Sequence, residues 1–456
     1  MKIAIAGAFG FIGQHLVQCL LAEGKHEIVA ITRSSRESED PRVHCVAADL
    51  YCQKETTAAL AGCDMAVYLV HSMAPGARLS QGHFRDFDYV LADNFQNAAA
   101  ANRIQQIIYV GGMIPSDIDL SPHLESRLEV EEVLRSQATP VTSIRCGIVI
   151  GQKASSFSII VRLVERLPLM VLPQWMRTRS NPIFVGDLAK IVAASINHPI
   201  HSHRIIDAGM DESVSYKDIV MATAKLLKRS PILIDVPYVS PHLSKLWVRL
   251  VSGAPKDLVY PLIDSVRHEM LKNSSRQIPK EWGIQLTGLA QAIGQTFKET
   301  FAFSVPRLLT SVRDLSEVRS IQRLPLPAGK SAQWVADRYF SWLPLALKMF
   351  LKVERTADTC SYRLRIFNLQ LLRLQKDAAN SRPDRQVFNV ADGALVSREN
   401  HGHFEFRESH DQKYMIVALH NFRPALPWPL YRYTQAVIHR LLMRSFGRNV
   451  AGSMST

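Results

Sequence analysis

The sequence predicts an α/β protein: a Rossmann-type parallel sheet covered by helices, with a small substrate lobe, followed by a smaller α+β domain. Three observations carry this reading. Strands and helices alternate over the first 150 residues or so; a glycine turn joins the first strand to the first helix; and short strands separated by turn residues fill the last hundred residues.

In the first region Lys2 to Ala6 (KIAIA) reads as a strand, followed by the turn and a helical pattern over Phe11 to Glu23. Further strands are expected at Glu27 to Thr32, Val43 to Ala47, Met65 to Val70, Gln106 to Val110 and Val141 to Arg145. Helices are expected around Lys54 to Leu60, Phe84 to Ala101 and Leu124 to Ser136. Beyond residue 147 the alternation loosens into helices at Ser155 to Arg166, Val185 to Ala194, Tyr216 to Lys228, Leu243 to Val251, Leu258 to Leu271 and Thr287 to Thr300, with a strand at His203 to Asp207. These additions fall where a substrate cleft forms in parallel α/β folds, so residues 147 to 300 are read as the lobe.

Residues 305 to 330, with Pro306, Pro325, Pro327 and Gly329, read as a linker, which gives domains at 1–304 and 331–456. In the second domain strands are expected at Tyr362 to Phe367, Gln370 to Gln375, Gln386 to Asn389, Gly393 to Ser397, Gly402 to Arg407 and Lys413 to Leu419. A last helix, Leu430 to Phe446, carries a stripe of Thr434, Val437, Leu441 and Ser445.

Bulk properties narrow the function. Six cysteines with no CxxC pair read as reduced core thiols in a cytoplasmic protein, and no metal site is expected; His401 and His403 read as solvated. No transmembrane segment is expected, because the apolar run Tyr339 to Val353 is short and broken by Pro344, Lys348 and Lys352. The formal charge of +13 is concentrated after Phe301, where 23 Lys or Arg face 12 Asp or Glu. That suits an anionic ligand, a nucleic acid or an acidic membrane. Nucleic acid is the less favoured partner, since the cations and aromatics around Tyr431 also make an amphipathic core helix.

The turn Gly7-Ala8-Phe9-Gly10-Phe11-Ile12-Gly13 has the spacing of a dinucleotide fingerprint. Gly7 permits the tight turn, Gly10 lets backbone approach a pyrophosphate, and Gly13 lets the helix pack on the sheet. After the second strand the chain reads Thr32-Arg33-Ser34-Ser35-Arg36, cations and hydroxyls in place of the carboxylate that NAD binding favours, so NADP is preferred and NAD is the alternative. Asp49, with Leu50, is placed to meet the adenine or to cap the next helix; Val70, His71 and Gly111 end strands on the nicotinamide side.

Residues 1 to 300 resemble the atypical extended short-chain dehydrogenase/reductases, NmrA-like members above all, through GAFGFIG (7 to 13), ADL (48 to 50), YLVHS (68 to 72), IYVGG (108 to 112), PVTSIRCGIVIG (140 to 151) and NPIFVGDLA (181 to 189). The tail is similar to START-like helix-grip modules through GHFEFRE (402 to 408) and the stretch 420 to 443. This second resemblance implies a long last helix over a curved sheet with an apolar cavity, which Trp428, Tyr431 and Phe446 would line if they are not plain core.

The reductase resemblance implies a catalytic tyrosine and lysine four residues apart, beside a serine. Here His123 and Arg127 stand at those places, and the serine position falls in Gly111, Gly112 and Met113. His123 is the candidate proton donor, because an imidazole titrates near neutrality, and Arg127 the candidate holder of a substrate oxygen or ribose hydroxyl. Arg145 ends the sixth strand nearby. Two functions follow: an NADP-dependent reductase of a carbonyl or quinone-like compound, taking a small or apolar ligand, or a non-catalytic NADP sensor acting through a protein partner.

Overall fold

A computed structural model describes residues 1–72, 79–115, 119–236, 240–298, 307–308 and 317–453. The chain divides into two compact units, one of 1–73 and 88–313, the other of 74–87 and 314–456.

The first unit is built on β1 (Lys2–Ala6), β2 (Glu27–Thr32), β3 (Val43–Ala47), β4 (Met65–Tyr68), β5 (Gln106–Gly112), β6 (Val141–Cys146) and β7 (Arg204–Ala208). Their order across the sheet is β7-β6-β5-β4-β1-β2-β3, and every pair is parallel. Apolar runs such as Ile3-Ala4-Ile5 and Met65-Ala66-Val67 are fully buried, as strands covered on both faces require. Because all strands run one way, the glycine turn and the segments after β2 to β6 share one sheet edge. The strand order reverses between β1 and β4, which makes a crevice there.

Helix α1 (Phe11–Glu23) leaves the glycine turn and ends at Gly24, in the left-handed conformation that glycine adopts without strain. The layers are completed by α2 (Gln53–Ala59), α3 (Phe84–Ala101), α4 (Pro122–Leu134) and α6 (Val185–Asn197). The lobe holds α5 (Ser155–Arg166), α7 (Tyr216–Leu226), α8 (Pro241–Ser252), α9 (Lys256–Ser265) and α10 (Leu289–Thr296) around Phe157, Leu163, Val220, Val248, Val259 and Ile293. The expected helices over 258–271 and 287–300 are thus shorter. After α9 the chain leaves the helix for Met270, which bridges to Ser180, and residues 299–300 lie outside the described ones.

The second unit has a sheet of β8 (Val318–Pro325), β9 (Leu351–Arg355), β10 (Thr359–Leu364), β11 (Leu369–Lys376), β12 (Arg385–Asp392), β13 (His403–Glu408) and β14 (Tyr414–Phe422). Its order is β9-β10-β11-β12-β13-β14-β8, antiparallel throughout, with the short strand Leu79–Gln81 added parallel to β8. Helix α11 (Ala332–Ala346), capped by Ser331, packs with the last helix over a core that includes Tyr339, Phe340, Phe404, Phe406 and Phe446.

Several expectations for this unit are corrected. Part of the linker is a strand: in β8, Val318, Ile321 and Leu324 are buried, and this apolar content outweighs the prolines at its end. Of the remaining linker, 305–306 and 309–316 lie outside the described residues. Gly393 to Ser397 is a turn; Gly393 has φ +140° and a methyl there would lie 2.2 Å from the Leu371 carbonyl oxygen. The last helix is broken at Thr434 (φ −120°, ψ −83°) into α12 (Trp428–Tyr433) and α13 (Gln435–Gly452). Its buried stripe is Ala436, Met443, Phe446, Gly447 and Val450, one step round from the expected one, and Leu441 is exposed. Trp428, Tyr431 and Phe446 pack as core aromatics, with Phe446 5.0 Å from Tyr339 and Trp428 5.7 Å from Tyr431 between ring centroids.

Candidate active site

At the glycine turn Gly7 has φ +90°, and the Gly10 amide donates to the Gly7 carbonyl at 2.9 Å. A methyl at Gly13 would sit 2.2 Å from the Gly7 oxygen and 2.6 Å from the Ala8 oxygen, so only glycine lets the helix lie this close to the strand end. No side chain caps the N-terminus of α1 and its first turn holds no acid, which leaves that end fitted to an anion. Ile12 and Phe9 are half-buried against the sheet core, and the Phe11 ring packs on Gly151.

Beyond β2, Arg33 is exposed, and the Ser34 amide donates to the Thr32 hydroxyl at 3.0 Å. The Arg36 guanidinium lies 5.3 Å from the Phe9 ring centroid, beside the glycine turn. Asp49 is buried and accepts the Tyr51 amide at 3.1 Å, while α2 starts only after Cys52. Asp49 therefore tightens a turn and does not cap the helix. Leu50 is buried, its carbonyl accepting from Asn94 at 2.8 Å.

The other side of the crevice holds an ionic cluster. Asp88, on α3 and 1% exposed, accepts from the Arg127 guanidinium, from the Ser126 hydroxyl at 3.2 Å and from the Ser72 amide at 2.8 Å. His71, which follows the half-buried Val70, places Nδ1 3.2 Å from the same carboxylate. Burial pushes the Asp88 carboxyl up, but the Arg127 cation, His71 and the Ser72 amide together outweigh it and hold the group well below the usual carboxylate range. Since Asp88 is ionised, His71 Nδ1 carries the proton and Nε2 is an acceptor, one with no partner among the described residues. The Tyr109 hydroxyl donates to the Arg127 carbonyl at 3.2 Å.

His123 and His71 lie 5.4 Å apart between ring centroids. Burial, then the Arg127 cation and His71, push the His123 imidazole down to about 3. The expectation that His123 titrates near neutrality is therefore corrected: it is a neutral imidazole, able to donate its N–H to a carbonyl oxygen but carrying no extra proton at pH 7. Arg127 is held by Asp88 and is no mobile oxygen clamp. Arg145 is likewise engaged, in two hydrogen bonds to Glu131 at 2.8 and 2.9 Å. Gly111 covers the Tyr109 ring, where a methyl would lie 2.6 Å from a ring carbon, so no serine fits at that point.

Next to His123 opens a cavity of about 170 Å³, lined by Met113, Ile160, Trp175, Tyr216, Val248 and Ile263 among others. It begins at Gly112, the last residue of β5, and at Gly147, immediately past β6. Asp88 and Ser126 were missed from sequence. Asp88 lies inside an amphipathic helix whose pattern assigns no function to one buried acid, and only the β4 to α3 juxtaposition reveals its partners.

Comparison with known proteins agrees with this geometry. Residues 7–166 match a family model described as NAD(P)H-binding. The first unit holds an NAD(P)-binding Rossmann-type domain. Auxiliary protein GraX of Staphylococcus aureus is similar, at 29% identity over 113 residues, 24% of this chain and 36% of that protein, so the chain spans about a third of that relative's length. Ceramide reductase of Caulobacter vibrioides is 24% identical over 240 residues, 52% of this chain and 73% of that protein. Two solved structures share the fold at a TM-score of 0.50. A nucleoside-diphosphate-sugar epimerase from Staphylococcus aureus is 16% identical and covers 64% of this chain and 99% of its own. An NADPH-dependent quinone oxidoreductase from Escherichia coli, complexed with NADPH, is 18% identical and covers 65% and 100%.

Proposed function

We propose that the chain is an NADP-dependent reductase of a carbonyl or quinone-like compound. The observation that carries this reading is the apolar cavity beginning at Gly112 and walled by His123, on the crevice side opposite the Arg33 and Arg36 segment. A dinucleotide laid over the glycine turn runs from one side to the other, its 2′-phosphate among Arg33, Ser34 and Arg36. When bound, the cofactor supplies a hydride for a carbonyl carbon. His123 stabilises the developing alkoxide through a hydrogen bond from its N–H while water supplies the proton, and Asp88 orients His71 so that Nε2 accepts a hydrogen bond from a hydroxyl of the ribose or the substrate. The name of the similar ceramide reductase points the same way.

A second reading, an NADP sensor working through a partner, is favoured by one observation. With Arg127 tied to Asp88 and His123 held neutral, none of the paired groups cycles a proton near pH 7. In the second unit, a six-strand antiparallel meander, β9 to β14, with β8 paired to its last strand and a long last helix packed on the sheet, supports the START-like reading of the tail.

Incubating the full chain with NADPH and a panel of quinones and aldehydes tests the choice. Cofactor consumption with some member of the panel, lost in His123→Phe, is expected; tight NADPH binding without turnover across the panel contradicts the reductase and favours the sensor.

A further inference from the structure

Helix α8 turns two unlike faces to its surroundings. Ser244 and Val248 are buried, Val248 on the cavity wall, whereas Leu243, Leu246 and Leu250 are 58%, 52% and 79% exposed. At about 100° per residue the three leucines lie within an arc of about 60°, one continuous stripe rather than scattered side chains. Half-buried Trp247 borders the stripe on one side and exposed Arg249 on the other.

The charge around the stripe leans to cations, with Lys245 of α8 paired to Asp264 of α9 at 2.7 Å and exposed Glu165 next to Arg166 on α5. The helix carries no acidic residue. At its C-terminal end Arg166 and Arg162 donate to the carbonyls of Val251 at 2.6 Å and Ser252 at 3.1 Å, and exposed Lys256 follows, with Asp257 as the nearest acid in sequence. In the same lobe, the ribbon that pairs Leu169–Leu172 with Ile232–Asp235 exposes Leu169, Ile232 and Ile234. No helix among the described residues is long and apolar enough to cross a membrane, so this apolar surface belongs to no span.

We propose that α8 is an interfacial helix by which the first unit docks on an anionic lipid bilayer. The leucines enter the acyl boundary, Trp247 sits at the headgroup level, and Arg249, Arg166 and Lys256 meet lipid phosphates. Since α8 also walls the cavity, docking brings that cavity beside a store of apolar compounds. The proposal stands without the reductase reading, because it rests on surface residues of the lobe and not on the crevice or on His123.

Vesicle co-sedimentation of the full chain tests it, with phosphatidylcholine alone and with added phosphatidylserine. Retention is expected on the anionic vesicles, falling with salt. Leu243→Gln, Leu246→Gln and Leu250→Gln together are expected to cut it by about tenfold. Arg249→Glu alone is expected to cut it by about fivefold. All four positions are exposed, and unchanged circular dichroism and NADPH binding would show the variants folded. The proposal is overturned by no retention at low salt, by a leucine variant retained like the parent, or by leucines that matter only for self-association in sizing runs.

Discussion

Each unit of this protein buries a carboxylate among cations and imidazoles, and the cluster of the first unit lies beside His123, which lines a cavity. In the first unit Asp88 holds one guanidinium, Arg127, and one imidazole, His71, at a sheet edge next to the glycine turn. In the second, Glu405 is fully buried on β13 and takes hydrogen bonds from Arg385 at 2.6 and 2.8 Å, from Arg407 at 3.1 Å and from His420 at 3.2 Å. His403 stacks on His420 with ring centroids 4.8 Å apart. Burial pushes the Glu405 carboxyl up, and Arg385, Arg407 and His420 together outweigh it and bring it well below its usual range. Although His403, Glu405 and His420 lie within ligand distance of one another, a carboxylate already shared by two guanidiniums is poor at holding a metal ion. The lesson is that the same residue types brace an inner part of a sheet in one unit and, in the other, stand beside a neutral imidazole, His123, that lines a cavity.

The largest effects should come from removing the carboxylates. Glu405→Gln removes the negative charge that two buried guanidiniums share and should cost about 3–5 kcal/mol in urea unfolding, with NADPH affinity unchanged. Asp88→Asn should cost a similar amount and also abolish turnover while NADPH still binds. Equal loss of turnover in both variants would erase the distinction between brace and site.

A smaller effect follows from the imidazoles. His123 and His403 are both pushed down to about 3, each chiefly by burial. The unfolded chain takes up protons first as pH drops below about 6.5. Their contribution is therefore complete above that pH and is lost on acidification, at up to about 1.4 kcal/mol per pH unit for each group down to about 3. Urea midpoints between about pH 7 and pH 4.5 should fall, and His123→Gln should flatten the slope; an unchanged slope would mean that His123 is solvated.

The smallest expected effect is on cofactor choice. Arg36→Ala should weaken NADPH by about tenfold and leave NADH nearly alone, read by calorimetry. Equal weakening of both would place Arg36 on the pyrophosphate side, with its Phe9 contact.

Much of the first unit was legible because parallel strands buried on both faces announce themselves as apolar runs, and because glycine spacing reports backbone conformation directly. The site was legible only in part. His71, His123 and Arg127 stood out by position, but Asp88 approaches them from a helix distant in sequence, and its approach decides their protonation. In the second unit the sequence pattern puts His403 in solvent beside a turn; the structure half-buries it, because its strand is an inner one of the sheet and its ring stacks on His420 of the neighbouring strand. The buried stripe of the last helix falls one position from the expected one because Ala436, Met443, Phe446 and Val450 meet the core, whereas Val437, Leu441 and Ser445 line an adjacent face of the same unbroken α13.

The central claim is that backbone at Gly7, Gly10 and Gly13 holds a dinucleotide. Titration calorimetry of NADPH into the parent chain and into Gly13→Ala tests it most directly, since the added methyl would meet two carbonyl oxygens at the turn. Saturable binding by the parent, weakened by about tenfold or more in a folded Gly13→Ala, is the predicted result. A parent indifferent to NADPH and NADH, or a variant binding as tightly as the parent, would contradict it.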